Sequence, residues 1–118
     1  METQDKIAAV HRYVEAFETA DIAIIKELYA ADATVEDPVG TDTHNGIDAI
    51  VAFYEGALSS GVKLALTGTP RCAGDEVAFP FQVKAPGMSI DVIDIFKFNA
   101  EGMVVSMRAF WGAENMGS

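Results

Sequence analysis

The sequence predicts an α+β domain in which three N-terminal helices are followed by antiparallel strands. Apolar residues recur at three- and four-residue spacing up to Leu58, which is typical of amphipathic helices. From Val62 onward they alternate, as in half-buried strands, and turns containing Gly or Pro separate the alternating segments. A chain of 118 residues can bury a core of its own, so we expect residues 1–118 to form a single domain.

Each of the three helices has its own apolar stripe. The first stripe has five members: Ile7, Val10, Tyr13, Val14 and Phe17. Asp21 is the expected N-cap of the second helix, whose inner face carries Ile25, Leu28 and Tyr29. Asn45 is the expected N-cap of the third helix, whose stripe consists of Ile47, Ile50, Val51, Tyr54 and Leu58.

The remaining segments predict strands. Residues 34–38 form a short strand, because the residue before Pro38 disfavours helix and Gly40 closes the segment. Four later strands are centred on Leu64 and Leu66, on residues 77–83, on residues 90–98 and on residues 103–112. Pro80 lies inside one of them, so we expect an edge position or a bulge there.

Asp94 is the most unusual residue of the sequence. Strand side chains alternate between faces, so Asp94 shares one face with four apolar residues: Ile90, Val92, Phe96 and Phe98. A carboxylate buried there would need a partner or would keep its proton, and a protonated acid can donate a hydrogen bond. This arrangement suggests a site that stabilises developing negative charge.

The hairpin that follows Asp94 predicts its surroundings. If Phe98 pairs with Met103, counting back along both strands places Asp94 opposite Met107, Phe96 opposite Val105 and Ile90 opposite Trp111. The other face of these strands is mixed, with Ile93, Ile95, Val104 and Phe110 among Asp91, Lys97 and Arg108. That face is a candidate for pairing with a second copy of the chain.

Asp37 and three tyrosines are further candidates. Asp37 lies at a strand end beside a rigid proline, where it either presents a base to a cavity or caps a turn near Gly40. If Asp37 and Asp94 face one cavity, different environments could separate their pKa values. Tyr13, Tyr29 and Tyr54 all lie on inward faces, either as ordinary core residues or as a shared hydrogen-bond network.

Composition and the remaining motifs exclude several classes of function. A net charge of −10 disfavours nucleic-acid partners, and no apolar run approaches the ~20 residues of a membrane helix. The first residues do not resemble a secretory signal, and the single cysteine, Cys72, fits a reducing compartment, so we expect a cytoplasmic protein. His11 and Glu15 lack a third metal ligand, and no phosphate-binding or nucleotide-binding motif is present, so we expect no cofactor and no metal.

These residues together resemble those of the bacterial Δ5-3-ketosteroid isomerases (steroid delta-isomerases), a family of the nuclear transport factor 2-like (NTF2-like) superfamily. The resemblance spans nearly the whole chain and rests on five segments: Arg12-Tyr13, Tyr29–Gly40, Phe53-Tyr54, Asp91–Asp94 and Val105–Trp111. It implies a cone-shaped fold with three helices packed in a strongly curved, mostly antiparallel sheet. The turn between Val83 and Ile90 is a few residues shorter than in the family, which affects the cavity rim.

The resemblance also implies an activity and a role for each site residue. Asp37 matches the base that moves a proton from C4 to C6 of a 3-oxo-Δ5-steroid, and Tyr13 and Asp94 match the donors to the C3 oxygen. Five positions match supporting or pocket-lining residues: Tyr29, Tyr54, Phe81, Met107 and Trp111. The implied protein is a homodimeric, cofactor-independent isomerase of a small apolar steroid.

Two alternatives stay open at this stage. One is another superfamily activity, such as polyketide cyclisation or epoxide hydrolysis; hydrolases of this kind pair an arginine with two acids, and Arg71 and Arg108 are the arginines to consider. The other is a module that binds an apolar ligand in the same pocket without catalysis.

Overall fold

A computed structural model describes residues 1–117 of the chain. The helices are α1 (Thr3–Thr19), α2 (Ile22–Leu28) and α3 (Ile47–Ser59), with a short 3₁₀ helix at Ala113–Asn115. The strands are β1 (Tyr29–Glu36), β2 (His44–Asn45), β3 (Lys63–Leu66), β4 (Arg71–Ala73), β5 (Glu76–Ala85), β6 (Met88–Phe98), β7 (Val104–Phe110) and β8 (Met116–Gly117).

The strands form one sheet in the order β2-β1-β7-β6-β5-β3, with β4 added beside β5 and β8 beside β6. The β1–β7 pair is parallel and the other pairs are antiparallel. Apolar residues of the three helices and of one sheet face form a common buried core. The predicted α+β class, with three helices against a mostly antiparallel sheet, is therefore confirmed.

The helix boundaries confirm one predicted cap and correct another. The Ala23 N–H donates to the Asp21 carboxylate over 3.0 Å at the start of α2, as predicted. Helix α3 begins one residue later than predicted, with Gly46 as its N-cap in place of Asn45. Gly46 has φ of 85°, a conformation that glycine adopts at little cost. Asn45 belongs to β2 instead.

Strand β1 is longer than predicted, and Tyr29 begins it. Tyr29 was predicted on the inner face of α2, but its backbone is already extended (φ −94°, ψ 139°). The side chain is nonetheless buried, with 2% of its surface exposed. The pairing of β1 with β7 is irregular between Tyr29 and Thr34, so buried and exposed residues do not alternate there. For this reason the first half of β1 lacks the two-residue periodicity by which strands are predicted.

The predicted register between β6 and β7 is wrong. Asp94 lies opposite Ala109, not Met107, and Phe96 lies opposite Met107. Two changes of one residue each explain the difference: Phe98 pairs with Val104 and not with Met103, and β7 contains one extra residue between the partners of Phe98 and Lys97, which counting from the turn cannot reveal. Trp111, which was predicted to lie opposite Ile90, lies beyond the end of β7. Met116 of β8 pairs with Ile90 instead.

Val104 moves from its predicted outer position to the core because Val104, and not Met103, pairs with the buried Phe98. Ser106 pairs with Lys97 and Val104 pairs with Phe98, so Val105 is the extra residue of a bulge. Val104 and Met107 are consequently both fully buried although they are three residues apart. Ile93 and Phe110 keep their predicted outer positions, where 48% and 40% of their surfaces are exposed.

Pro80 occupies a local edge within β5. On one side it pairs with Ile93 of β6. On the other side the pairing passes from β3 to β4, and the Thr67 N–H donates to the Pro80 carbonyl. The N–H that proline lacks would point to this same break, so no ladder hydrogen bond is lost. The expectation of an edge or bulge is confirmed in this local form.

Within residues 1–117, no helix combines the length and the apolar character needed to cross a membrane.

Two glycine substitutions test the backbone assignments. Gly87, in the β5–β6 turn, has φ of 74°, whereas Gly56 lies within α3, and a methyl group added at either position meets open space. We expect Gly87→Ala to destabilise the protein by about 1–2 kcal/mol because of the left-handed backbone. Gly56→Ala should stabilise it by about 0.5–1 kcal/mol, measured by chemical denaturation. Equal effects of the same sign would contradict the assignments.

Candidate active site

A cavity of about 140 Å³ opens between α1, α3 and the inner face of the sheet. Six of the eight predicted site residues line it: Tyr13, Asp37, Tyr54, Phe81, Asp94 and Trp111. The rest of its wall is apolar and consists of Phe17, Phe53, Ala57, Val62, Leu64, Val83, Ile90 and Val92. Asp37 and Asp94 therefore line one largely apolar cavity. From the sequence alone, a shared cavity was only a possibility.

Asp94 is held in the cavity wall by the centre of β6. It pairs with Phe79 of β5 and Ala109 of β7, and 1% of its surface is exposed. Among residues 1–117, the Asp94 Oδ1 atom is the one buried side-chain oxygen or nitrogen without a hydrogen-bond partner. An unpaired buried acceptor is costly, so this oxygen is available for a ligand.

The environment of Asp94 favours its neutral form. Burial raises the pKa of Asp94 well above its ordinary value, the nearby Asp37 charge raises it further, and the Tyr13 hydroxyl opposes both effects. Water would solvate a carboxylate, whereas these apolar walls do not. Asp94 can therefore act as a hydrogen-bond donor.

The three tyrosines form a hydrogen-bonded chain with Tyr54 in the middle. The Tyr54 hydroxyl lies 2.6 Å from that of Tyr29 and 3.0 Å from that of Tyr13. Burial is the largest cause that raises the pKa of each hydroxyl well above its ordinary value, so all three are neutral. The shared network, one of two alternatives left by the sequence, is the one present.

Aromatic packing holds the ring of Tyr13 in place. Its ring contacts Phe17 and Phe96 edge-on, at centroid distances of 5.3 and 5.2 Å. These contacts limit the directions in which the hydroxyl can point. Tyr13 and Asp94 line the same cavity, and burial first and the Asp94 charge second raise the pKa of Tyr13.

Asp37 lies one residue beyond β1 and is more accessible than Asp94. The Trp111 Nε1–H donates to Asp37 Oδ1 over 2.8 Å, leaving the second oxygen free of that bond. Burial raises the pKa of Asp37, while the Trp111 hydrogen bond and the charge of His44 lower it. The Val39 N–H donates to the Ala109 carbonyl and fixes the segment against β7. Asp37 is thus the acid that ionises first.

Two predicted pocket residues lie elsewhere. Met107 is fully buried and pairs with Phe96 and Val35, because the later start of the β6–β7 pairing and the bulge in β7 together move it two residues away from Asp94. It is not among the residues that line the cavity. Tyr29 also stays outside the cavity and reaches it only through Tyr54.

Sequence reasoning missed part of the wall and one hydrogen bond. Phe53 and Ala57 are four residues apart on α3 and form a second stripe beside Tyr54, a spacing that was available in the sequence. The bond from Trp111 to Asp37 joins residues 74 positions apart and had no local signal.

Neither arginine considered for hydrolysis faces the cavity. Arg71 is exposed in β4. Arg108 lies on the outer face of β7, 3.8 Å from Glu36, with its guanidinium over the Phe110 ring. Within residues 1–117, no group of three His, Cys, Asp or Glu side chains is arranged to hold a metal ion.

A larger and more open hollow of about 620 Å³ lies beyond the cavity wall. It shares Phe81, Val92 and Trp111 with the cavity but is otherwise lined by outer-face and loop residues. Tyr13, Asp37 and Asp94 do not line it. We therefore assign the chemistry to the smaller cavity, where the titratable groups converge.

The chain has recognisable relatives. Residues 10–107 match the SnoaL-like domain family. The chain is 40% identical over 113 residues to Steroid Delta-isomerase from Nocardioides simplex. This alignment covers 92% of the chain and 91% of that protein. It is also 35% identical over 101 residues to ECF RNA polymerase sigma factor SigG from Mycobacterium tuberculosis, covering 76% of the chain but 26% of that protein.

A solved structure has the same fold over nearly its full length. It is that of the epoxide hydrolase/cyclase-like enzyme SalBIII, described for its role in pyran ring formation in polyether salinomycin. The match has a TM-score of 0.90 and 27% sequence identity, and it covers 98% of this chain and 97% of that one. Together with the 40% identical relative, it confirms the resemblance and the NTF2-like fold that the sequence implied.

The protonation of Asp94 has a consequence for stability. The folded protein holds a proton on Asp94 that the unfolded chain releases above about pH 4. The free energy of unfolding should therefore fall as pH rises from about 4 toward the raised pKa, by up to about 1.4 kcal/mol per pH unit from this group. Asp94→Asn should flatten this slope in denaturation curves between pH 4 and 8.

Asp91→Asn is the matched control, because Asp91 lies on the exposed face of the same strand. It should leave the slope unchanged. A wild-type slope in Asp94→Asn would mean that Asp94 is ionised in the folded protein.

Proposed function

The chain belongs to the SnoaL-like domain family of the NTF2-like superfamily, and we propose that it is a cofactor-independent isomerase of 3-oxo-Δ5-steroids. The observation that carries this proposal is the buried Asp94 carboxyl, whose Oδ1 has no partner and whose pKa is raised by burial, in an apolar cavity that Tyr13 and Asp37 also line. The 40% identical relative, which is named a steroid Delta-isomerase, supports the choice of reaction and substrate class.

Asp37 takes the part of the base in this proposal. Its carboxylate removes a proton from C4 of the steroid, the C4–H electrons form a C3–C4 double bond, and charge moves onto the C3 oxygen. The protonated Asp37 then returns the proton to C6, so the C5–C6 double bond becomes a C4–C5 double bond conjugated with the restored ketone. The Trp111 bond to Oδ1 orients the carboxylate so that one group can serve both carbons.

Tyr13 and Asp94 stabilise the dienolate. Both are neutral donors in a water-poor wall, and their hydrogen bonds to the C3 oxygen strengthen as negative charge develops. One order of donation along the tyrosine chain suits this role. When Tyr29 donates to Tyr54 and Tyr54 donates to Tyr13, the Tyr13 hydrogen is left free for the ligand.

The cavity wall suits a flat apolar substrate. Five lining residues carry polar groups: the proposed reacting residues Tyr13, Asp37 and Asp94, together with Tyr54 and Trp111. The rest of the lining is aliphatic or aromatic. Its rim includes Val83 and Ile90, which pair across the short β5–β6 hairpin. The enclosed volume of about 140 Å³ suits the reacting end of a steroid, with the remaining rings extending toward the open side.

The alternatives receive less support from the cavity. A hydrolase that pairs an arginine with two acids needs an inward arginine, and both Arg71 and Arg108 lie outside the cavity. The similarity to SalBIII is compatible with the shared fold alone. A binding module without catalysis would retain the pocket, and only a turnover measurement separates it from an isomerase.

We further propose that the protein is a cytoplasmic homodimer that pairs through the outer face of its sheet. Ile93 and Phe110 are large apolar side chains exposed on that face, close to the charged Arg108 and Asp91. Exposed apolar groups of this kind are common at subunit interfaces.

The test of the isomerase proposal is the conversion of a 3-oxo-Δ5-steroid, followed by the ultraviolet absorbance of the conjugated enone. Wild-type protein should produce this absorbance far faster than buffer. Asp37→Asn should reduce kcat by at least about 10³-fold, because an amide cannot accept the C4 proton, while the affinity for a phenolic steroid is retained.

Absence of wild-type turnover together with tight binding of the phenolic steroid would favour the binding module. A wild-type rate in Asp37→Asn would remove Asp37 from the mechanism.

Tyr13→Phe tests the proposed oxyanion donor. We expect kcat to fall by roughly 10²–10³-fold, because one of two preorganised donors is lost. Tyr29→Phe is the matched control, since Tyr29 belongs to the same chain of hydroxyls but does not line the cavity. It should cost less than about tenfold in steady-state kcat. The reverse order of effects would move the donor role away from Tyr13.

A further inference from the structure

His44 is a neighbour of Asp37 that the proposed mechanism does not use. It lies in β2 and pairs directly with Val35 of β1. Directly paired residues of antiparallel strands place their side chains on the same face. Val35 is fully buried in the core, and Asp37, two residues further along, lines the cavity on that inner side of the sheet. His44 is therefore a diagonal neighbour of Asp37, a relation that typically places side chains about 7–8 Å apart.

The His44 ring is held beside the cavity wall by stacking. Its centroid lies 4.4 Å from that of Phe53, with the two rings tilted by 32°. Phe53 lines the cavity and packs edge-on against Tyr54 at 5.1 Å. The imidazole is half-buried, so it is not free to turn its charge away into solvent.

The groups that share the cavity with Asp37 do not supply a positive charge. They come from three other elements: Tyr13 from α1, Tyr54 from α3 and Asp94 from β6. Burial raises the pKa of each of them well above its ordinary value, so they are neutral around pH 7.

The other charged groups nearby face elsewhere. Arg108 of β7 lies toward Glu36, on the opposite face of β1 from Asp37. Asp42 and Asp48, which flank His44 along the chain, are both exposed. Of these neighbours, His44 alone can bring a positive charge to the face that Asp37 occupies.

We propose that His44 is a positioning residue for the reaction: its protonated imidazole keeps Asp37 in the ionised form that accepts the C4 proton. The inference rests on the proposed function, because that function makes Asp37 the base. The direction of the electrostatic effect agrees, since the charge of His44 lowers the pKa of Asp37 against the effect of burial.

The experiment measures the ionisation of Asp37 and the reaction separately. The Asp37 carboxyl is titrated by ¹³C NMR in wild type, His44→Gln, His44→Phe and His11→Gln, and kcat/KM for the steroid is measured over the same pH range. His44→Phe keeps an aromatic ring against Phe53 without the charge. His11→Gln is the matched control, because His11 is the other histidine and is exposed on α1.

Removal of the charge should raise the Asp37 midpoint by about 0.5–1.5 pH units, given the diagonal separation. The acid limb of the kcat/KM profile should move to higher pH by the same amount. At pH values below the midpoint kcat/KM should therefore fall by about three- to thirtyfold, and at pH values well above the midpoint it should change little. His11→Gln should match wild type. His44→Arg, which stays charged, should restore the wild-type limb.

Two outcomes would overturn the proposal. One is an unchanged Asp37 midpoint in both His44→Gln and His44→Phe. The other is a uniform loss of rate at all pH values with the midpoint unmoved, which would assign His44 a structural role only. A midpoint that moves in a protein without isomerase activity would instead reject the proposed function while confirming that His44 controls the charge of Asp37.

Discussion

The structure depends on the burial of one carboxyl group in an apolar sheet face. Asp94 is 1% exposed between Phe79 and Ala109, and its Oδ1 has no hydrogen-bond partner among residues 1–117. A buried carboxyl oxygen without a partner lowers stability even when the group is neutral, and ionisation there would lower it further. The protein therefore carries a destabilising feature at the centre of its sheet. Because the unpaired oxygen faces a cavity, a ligand with a polar atom at that point can satisfy it.

The two acids differ because the fold gives them different amounts of water and different partners. Asp94 lies in mid-strand and is enclosed by the core, whereas Asp37 lies beyond a strand end and receives the Trp111 hydrogen bond. An ionised Asp37 raises the pKa of Asp94 further, so the charge of the first acid helps to keep the second one protonated. This division provides a base and an acid at the same pH without a metal or cofactor in the proposed mechanism.

The secondary structure around the site shows why tertiary pairing matters. Tyr29, Tyr54 and Tyr13 come from β1, α3 and α1, yet their hydroxyls form one chain because the helices lie across the sheet face. Because the β6–β7 pairing starts at Phe98 and Val104 and β7 then contains a bulge, both Val104 and Met107 are buried and Ala109 lies opposite Asp94. A small residue there leaves room beside the carboxyl, which the predicted Met107 would have filled.

The sequence by itself determined the α+β class, the three helical stripes and the isolated acid on the β6 face, because residue periodicity and chemical type are local properties. The candidate roles of Tyr13, Asp37 and Asp94 came from the resemblance to a known family. The tertiary structure alone decided the register at Asp94, the exclusion of Met107 from the cavity, the Trp111 bond to Asp37 and the approach of His44. These features depend on a bulge and on contacts between distant residues, and neither leaves a periodic signal in the chain.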